Sequence, residues 1–122
     1  MSLYTTQVAQ SDRKTPSILH LRNGTDSVVF WPRIQALVLM PVGNEVYRRT
    51  NLVYTVPKKR DVAGVPTLAG YVLFDLNVKA NIASSQTEID QAYAEYIKIL
   101  QLPDVKKALC EQIRITGDLT TA

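Results

Sequence analysis

Apolar and polar side chains alternate most regularly over residues 71–82. There Val72, Phe74, Leu76, Val78 and Ala80 fall on one side of a strand, and Tyr71, Leu73, Asp75, Asn77 and Lys79 on the other. The first side suits a core; the second presents hydrogen-bonding and charged groups in register, as a flat recognition surface would. Past residue 82 the period changes from two to that of a helix. Ser85-Gln-Thr-Glu88 fits a capping box, and Ile89, Ala92, Tyr93, Tyr96, Ile97 and Leu100 recur as a wide apolar stripe over residues 85–100. Pro103 forces Leu102 out of helical geometry and starts a second helix, with Asp104 in its first turn and Val105, Ala108, Leu109 and Ile113 as its apolar positions.

Upstream, the pattern is one of strands. Residues 3–9 and 17–22 read as strands separated by a polar loop, and residues 25–31 as a further strand joined to 17–22 through Asn23-Gly24, the strongest short hairpin signal. An apolar run over 34–40 leads to a turn at Pro41-Val-Gly-Asn44 and a long strand over 45–56, where Pro57, lacking an N–H, is expected to end regular pairing. Residues 58–70, with Gly64, Pro66 and Gly70, then read as a loop of thirteen residues, long enough to suggest a functional segment. The expectation is one α+β domain. It has an N-terminal hairpin region (1–32), main sheet strands (33–82), two C-terminal helices (84–114) and a tail (115–122), with about six or seven antiparallel strands in all.

That layout has a difficulty. Two helices must bury their stripes while a meander of strands offers two faces and two edges. Helices packed on their own sheet would resolve it; so would a dimer in which strands pair across edges and each subunit's helices cover the other's sheet.

Composition narrows the reading. With 122 residues, 46% hydrophobic and 20% charged, the chain suits one globular domain, and no apolar run approaches the roughly 18 residues of a membrane span. The first residues lack the basic-then-apolar order of a signal peptide, and Cys110 is a single cysteine, so a reducing compartment is expected. The net charge of +3 is unevenly spread. Residues 33–60 carry Arg33, Arg48, Arg49, Lys58, Lys59 and Arg60 against Glu45 alone, whereas residues 84–122 carry four bases against six acids. Basic strands with acidic helices point to the sheet as the surface that meets a polyanion.

Catalytic chemistry finds little support. His20 is the only histidine, Cys110 sits on an amphipathic helix where a packed thiol is the ordinary case, and no zinc-type spacing or glycine-rich phosphate loop occurs. Glu88, Asp90 and Glu95 are accounted for by a solvated helix face. No catalytic residue, metal or cofactor is expected.

Three local features, taken with the order of elements, resemble the coat proteins of single-stranded RNA bacteriophages, the leviviruses. They are Tyr54-Thr-Val-Pro57-Lys running into a long loop, Asp75-Leu-Asn-Val-Lys-Ala-Asn81 followed by serine-rich capping, and the break at Leu102-Pro103 between two helices. Residues 45–113 match best, and residues 1–32 match in layout only. The resemblance implies an interlocked homodimer with a continuous sheet, helices crossing to the partner, and assembly of many dimers into an icosahedral shell with the sheet inward, around a genome packaged in the bacterial host cytoplasm. It also implies an RNA hairpin bound on the inner sheet, acting as packaging signal and translational repressor.

Carried onto this sequence, the RNA-facing positions are Tyr47, Arg49, Asn51, Val53, Thr55, Asp75, Asn77 and Lys79. Arg49 and Lys79 would meet phosphates, Asn51, Asp75 and Asn77 bases or 2′-hydroxyls, and Tyr47 an unpaired base. On the preceding strand either Arg33, Gln35 and Leu37 or Ile34, Ala36 and Val38 share that face, depending on register. Ile89, Tyr93, Tyr96, Ile97 and Leu100 would meet the partner subunit, and Lys58, Lys59, Arg60 and Pro66 would belong to a loop touching neighbours in the shell. The alternatives to a coat protein are a non-viral dimeric RNA-binding module and a small enzyme or ligand-binding domain.

Overall fold

A computed structural model of the chain describes residues 2–22 and 24–116, with side chains from residue 9 onward. It divides into a sheet unit, Met1–Ile82, and a helical unit, Ala83–Ala122. Asn23 and most of the expected tail, from residue 117, lie outside the described residues.

The sheet unit is a five-stranded antiparallel meander in the order β1 (Ser2–Val8), β2 (Ser17–Arg22), β3 (Arg33–Leu39), β4 (Tyr47–Val62) and β5 (Val65–Asn81). The fold class is the expected α+β; the strand count is lower than the six or seven read from sequence. The difference lies at residues 25–31. There Phe30 N–H donates to Ser27 O and Trp31 N–H to Val28 O, forming a short 3₁₀ turn over Val28–Phe30. A strand has no place there because β3 already occupies the edge of β2, with Ser17 opposite Ala36 and His20 opposite Arg33. Gly24, at φ +58°, makes a turn as the Asn-Gly signal required, but that turn leads into the 3₁₀ segment rather than a second strand.

The larger correction concerns residues 58–70. They form no loop: β4 runs through Pro57 to Val62, the chain reverses at Ala63-Gly64, and β5 returns from Val65. Lys58, Lys59 and Arg60 stand on β4, and Pro66 on β5 opposite Asp61. Pro57 is tolerated because β3 begins at Arg33, opposite Thr55, so beyond that point β4 has no neighbour on one side to miss an N–H. The reversal has φ of +52° at Ala63 and +81° at Gly64, the two positive angles of a tight hairpin turn, reached here without the Asn-Gly pair that usually marks it. Between Lys58 and Lys59 the register slips by one residue at Ala69, beside Gly70 at φ +142°. This bulge sets the outer part of the hairpin at its own twist.

The helical unit follows the sequence closely. In α1 (Gln86–Leu100) the Ser85 hydroxyl accepts from Glu88 N–H at 3.1 Å, and the Glu88 carboxylate accepts from Ser85 N–H at 3.1 Å, closing the expected capping box. The bond from Ser85 N–H, and after it the Ser85 hydroxyl, hold the Glu88 carboxyl below its usual range. In α2 (Pro103–Glu111) Pro103 takes the first position, where an N–H is not needed, and the helix stops because Gln112 turns left-handed at φ +58°. Ile113, expected on this helix, lies beyond its end.

Among the described residues only Pro32 and Thr55 are buried. The side of the sheet assigned to a core leaves Leu52, Phe74 and Val78 exposed, and on α1 Tyr93 and Tyr96 are exposed as well. None of the described aliphatic or aromatic side chains is buried, so for these residues the core is still to be completed.

Candidate nucleic-acid interface

The pairing of β4 with β5 fixes which side chains share a face. Arg49 stands opposite Lys79, Asn51 opposite Asn77, Val53 opposite Asp75 and Tyr47 opposite Asn81, so the expected set is brought together on one side of the sheet. On β3, Leu39 pairs with Arg49, Leu37 with Asn51, Gln35 with Val53 and Arg33 with Thr55. This settles the register left open by the sequence. Arg33, Gln35 and Leu37 lie on this face, while Ile34, Ala36 and Val38 lie on the other.

At its centre is a hydrogen-bonded cluster. The Asn51 amide nitrogen donates to Asp75 Oδ1 at 2.6 Å and to Asn77 Oδ1 at 2.9 Å, tying three short polar side chains across two strands. Spending both amide hydrogens this way fixes the orientation of all three groups. Beside it, Arg49 and Lys79 form a like-charged cross-strand pair, an arrangement that costs stability unless an anion lies between or above them. The Lys79 ammonium lies 4.3 Å from the centre of the Tyr47 ring, a cation–π contact that holds it at the edge of the face. Leu39, Arg49, Asn51, Asn77 and Lys79 border a shallow concavity of about 330 Å³.

Thr55 does not belong to the accessible surface. It is 2% exposed, and the Val28–Phe30 turn packs against the strand that carries it. That segment is pinned by Lys59, whose ammonium meets Asp26 Oδ1 at 2.8 Å and lies 5.8 Å from the Phe30 ring. The bond to Asp26, then its charge, raises the pKa of Lys59. Trp31 donates its indole N–H to Asp26 O at 2.8 Å, completing the clamp. Sequence reading missed this clamp, because it was read as a strand. The contribution of Leu37 and Leu39 to the face was visible as one of two registers, but the turn over residues 40–46 that chooses between them carries no unambiguous signal.

Among the described residues no three histidine, cysteine, aspartate or glutamate side chains converge as a metal site. Nor, among them, is any helix long and apolar enough to cross a membrane.

No family model matches the sequence, and a sequence comparison with curated proteins finds no match. Solved structures do match. The virus-like particle of Beihai levi-like virus 21 superposes with a TM-score of 0.79 at 17% identity, over 92% of this chain and 87% of that one. The virus-like particle of bacteriophage NT-214 gives 0.76 at 13% identity, over 91% and 84%. The bacteriophage GA capsid protein gives 0.66 at 12% identity, over 88% and 84%.

Proposed function

From this shared fold, that of the capsid and particle proteins of levi-like bacteriophages, we propose that the chain is a phage coat protein: a homodimer that assembles into an icosahedral shell around single-stranded RNA in the bacterial host. The observation that carries the reading is the unfinished core. Among the described residues only Pro32 and Thr55 are buried, apolar side chains stand exposed on the sheet and on α1, and the 17-residue β5 lies at the edge of the sheet with its outer side unpaired. A long apolar edge strand pairs with whatever backbone it meets. A second copy of β5 across a two-fold axis supplies that backbone, and the stripe of Ile89, Tyr93, Tyr96, Ile97 and Leu100 supplies a cover for the apolar face of the partner's sheet.

The opposite face then looks into the shell. Arg49 and Lys79 offer phosphate contacts, the Asn51–Asp75–Asn77 cluster offers base or 2′-hydroxyl contacts, and Tyr47 offers a ring for stacking. Such a face binds an RNA hairpin as packaging signal and represses translation from the same RNA. The hairpin bearing Lys58, Arg60 and Pro66 projects as a paired arm for contacts between dimers.

Electron microscopy of the recombinant protein tests the assembly claim. Closed particles containing host RNA are expected. A stable monomer in size-exclusion chromatography at physiological salt would refute both the dimer and the shell.

A further inference from the structure

We infer that the Asp75–Asn77 edge of this face selects an unpaired guanine; the inference rests on the RNA-binding reading above and specifies what that face prefers. Asn51 holds both neighbours through one nitrogen, at 2.6 Å from Asp75 Oδ1 and 2.9 Å from Asn77 Oδ1, so the two side chains are close enough to meet a single base. With its oxygen engaged by Asn51, what Asn77 has to offer a base is its amide N–H groups, as donors. Asp75, an acceptor at every position when ionised, offers its second oxygen and the remaining lone pairs of the first. Both residues are exposed. The edge therefore reads donor, acceptor, acceptor.

Of the four bases, one Watson–Crick edge complements that order. Guanine presents O6 as acceptor, then N1–H and N2–H as adjacent donors: O6 receives from Asn77, and the two N–H groups are received by the Asp75 carboxylate. Adenine and cytosine each place a ring-nitrogen acceptor against the carboxylate, and uracil flanks its single N–H with two carbonyls; each leaves at least one acceptor facing an acceptor, which is costly once water is excluded. A carboxylate on a face otherwise suited to phosphates is unfavourable for backbone binding in general, so its presence there fits base discrimination better than uniform attraction.

The test uses the full-length protein held as unassembled, RNA-free dimers, so that the face is open to solvent, and synthetic hairpins of one stem, with a uridine loop carrying one guanosine, inosine, adenosine or cytidine at each loop position in turn. Fluorescence titration should find a position where guanosine binds about tenfold or more tighter than adenosine or cytidine. Inosine, which lacks the N2 amine, should fall between. Asp75→Asn, on an exposed side chain, should bring the guanosine-to-adenosine ratio close to one while keeping particle formation. Equal affinity for all loops, or an Asp75→Asn protein that keeps the wild-type ratio, overturns this inference and leaves RNA binding standing. No binding to any hairpin at low salt removes the RNA reading and this inference with it.

Discussion

Replacing Tyr93 by alanine discriminates most sharply between a helix that faces water and one that completes another molecule's core. Tyr93 is 65% exposed in the single chain. If a partner covers it, roughly 130 Å² of side-chain surface leaves water on association, taking about 200 Å² for a tyrosine. At about 25 cal/mol per Å² that is about 3 kcal/mol per copy. Two-fold symmetry places the residue at two equivalent sites, so the dimer loses about 6 kcal/mol, on the order of a ten-thousandfold weaker association. If instead the stripe faces solvent, the substitution belongs with ordinary surface changes, within about 0.5 kcal/mol. The assay is urea unfolding of assembly-defective protein at several concentrations, because an obligate dimer has a midpoint that rises with protein concentration. The expected Tyr93→Ala protein has a much lower midpoint and dissociates on dilution. A midpoint matching the wild type at every concentration would refute the placement of α1 in an interface.

Lys79→Ala should weaken binding to every RNA alike and lower the logarithmic salt dependence by about one, as read by filter binding at two salt concentrations. Ser85→Ala should cost about 1 kcal/mol in chemical unfolding at neutral pH. Because the Glu88 carboxyl is held below its usual range, its contribution is present above the unfolded pKa of about 4.3 and is lost as pH falls through the folded value; Glu88→Gln should flatten the acid limb of the stability profile in that window. Gly64→Val has room for its side chain but not for its backbone at φ +81°. It should destabilise the turn by about 1–2 kcal/mol and speed hydrogen exchange of amides over residues 59–68.

The sequence revealed most where period and chemistry agreed. Ser85 with Glu88, the stripe of α1 and the break at Pro103 are local devices, set by neighbours within a turn, and all three appear in the structure. The polar face was legible because alternation along β4 and β5 fixes which residues share a side; Asn51, Asp75 and Asn77 were grouped by parity, and their hydrogen bonds follow from the pairing. The errors came from punctuation read too literally. Pro57 reads as the end of a strand because local sequence does not show that β3 begins only opposite Thr55, which leaves no neighbour to miss the N–H. Asn23-Gly24 reads as a hairpin because local turn propensity says nothing about which edge is free. Ala63-Gly64 carries no turn signal of its own, because an alanine seldom adopts positive φ. Thr55 falls on the open face by parity, and parity does not foresee its burial.

Because the outer hairpin is a ladder rather than a loop, its length can diversify only in steps. One residue added to a single limb would turn every following side chain to the opposite side or demand another bulge like that at Ala69. Two residues added to both limbs preserve all facings and extend the reach by about 6.8 Å. Lineages descended from this protein should therefore differ here by even-numbered, paired insertions, giving discrete sizes of arm where an unstructured connection would drift continuously.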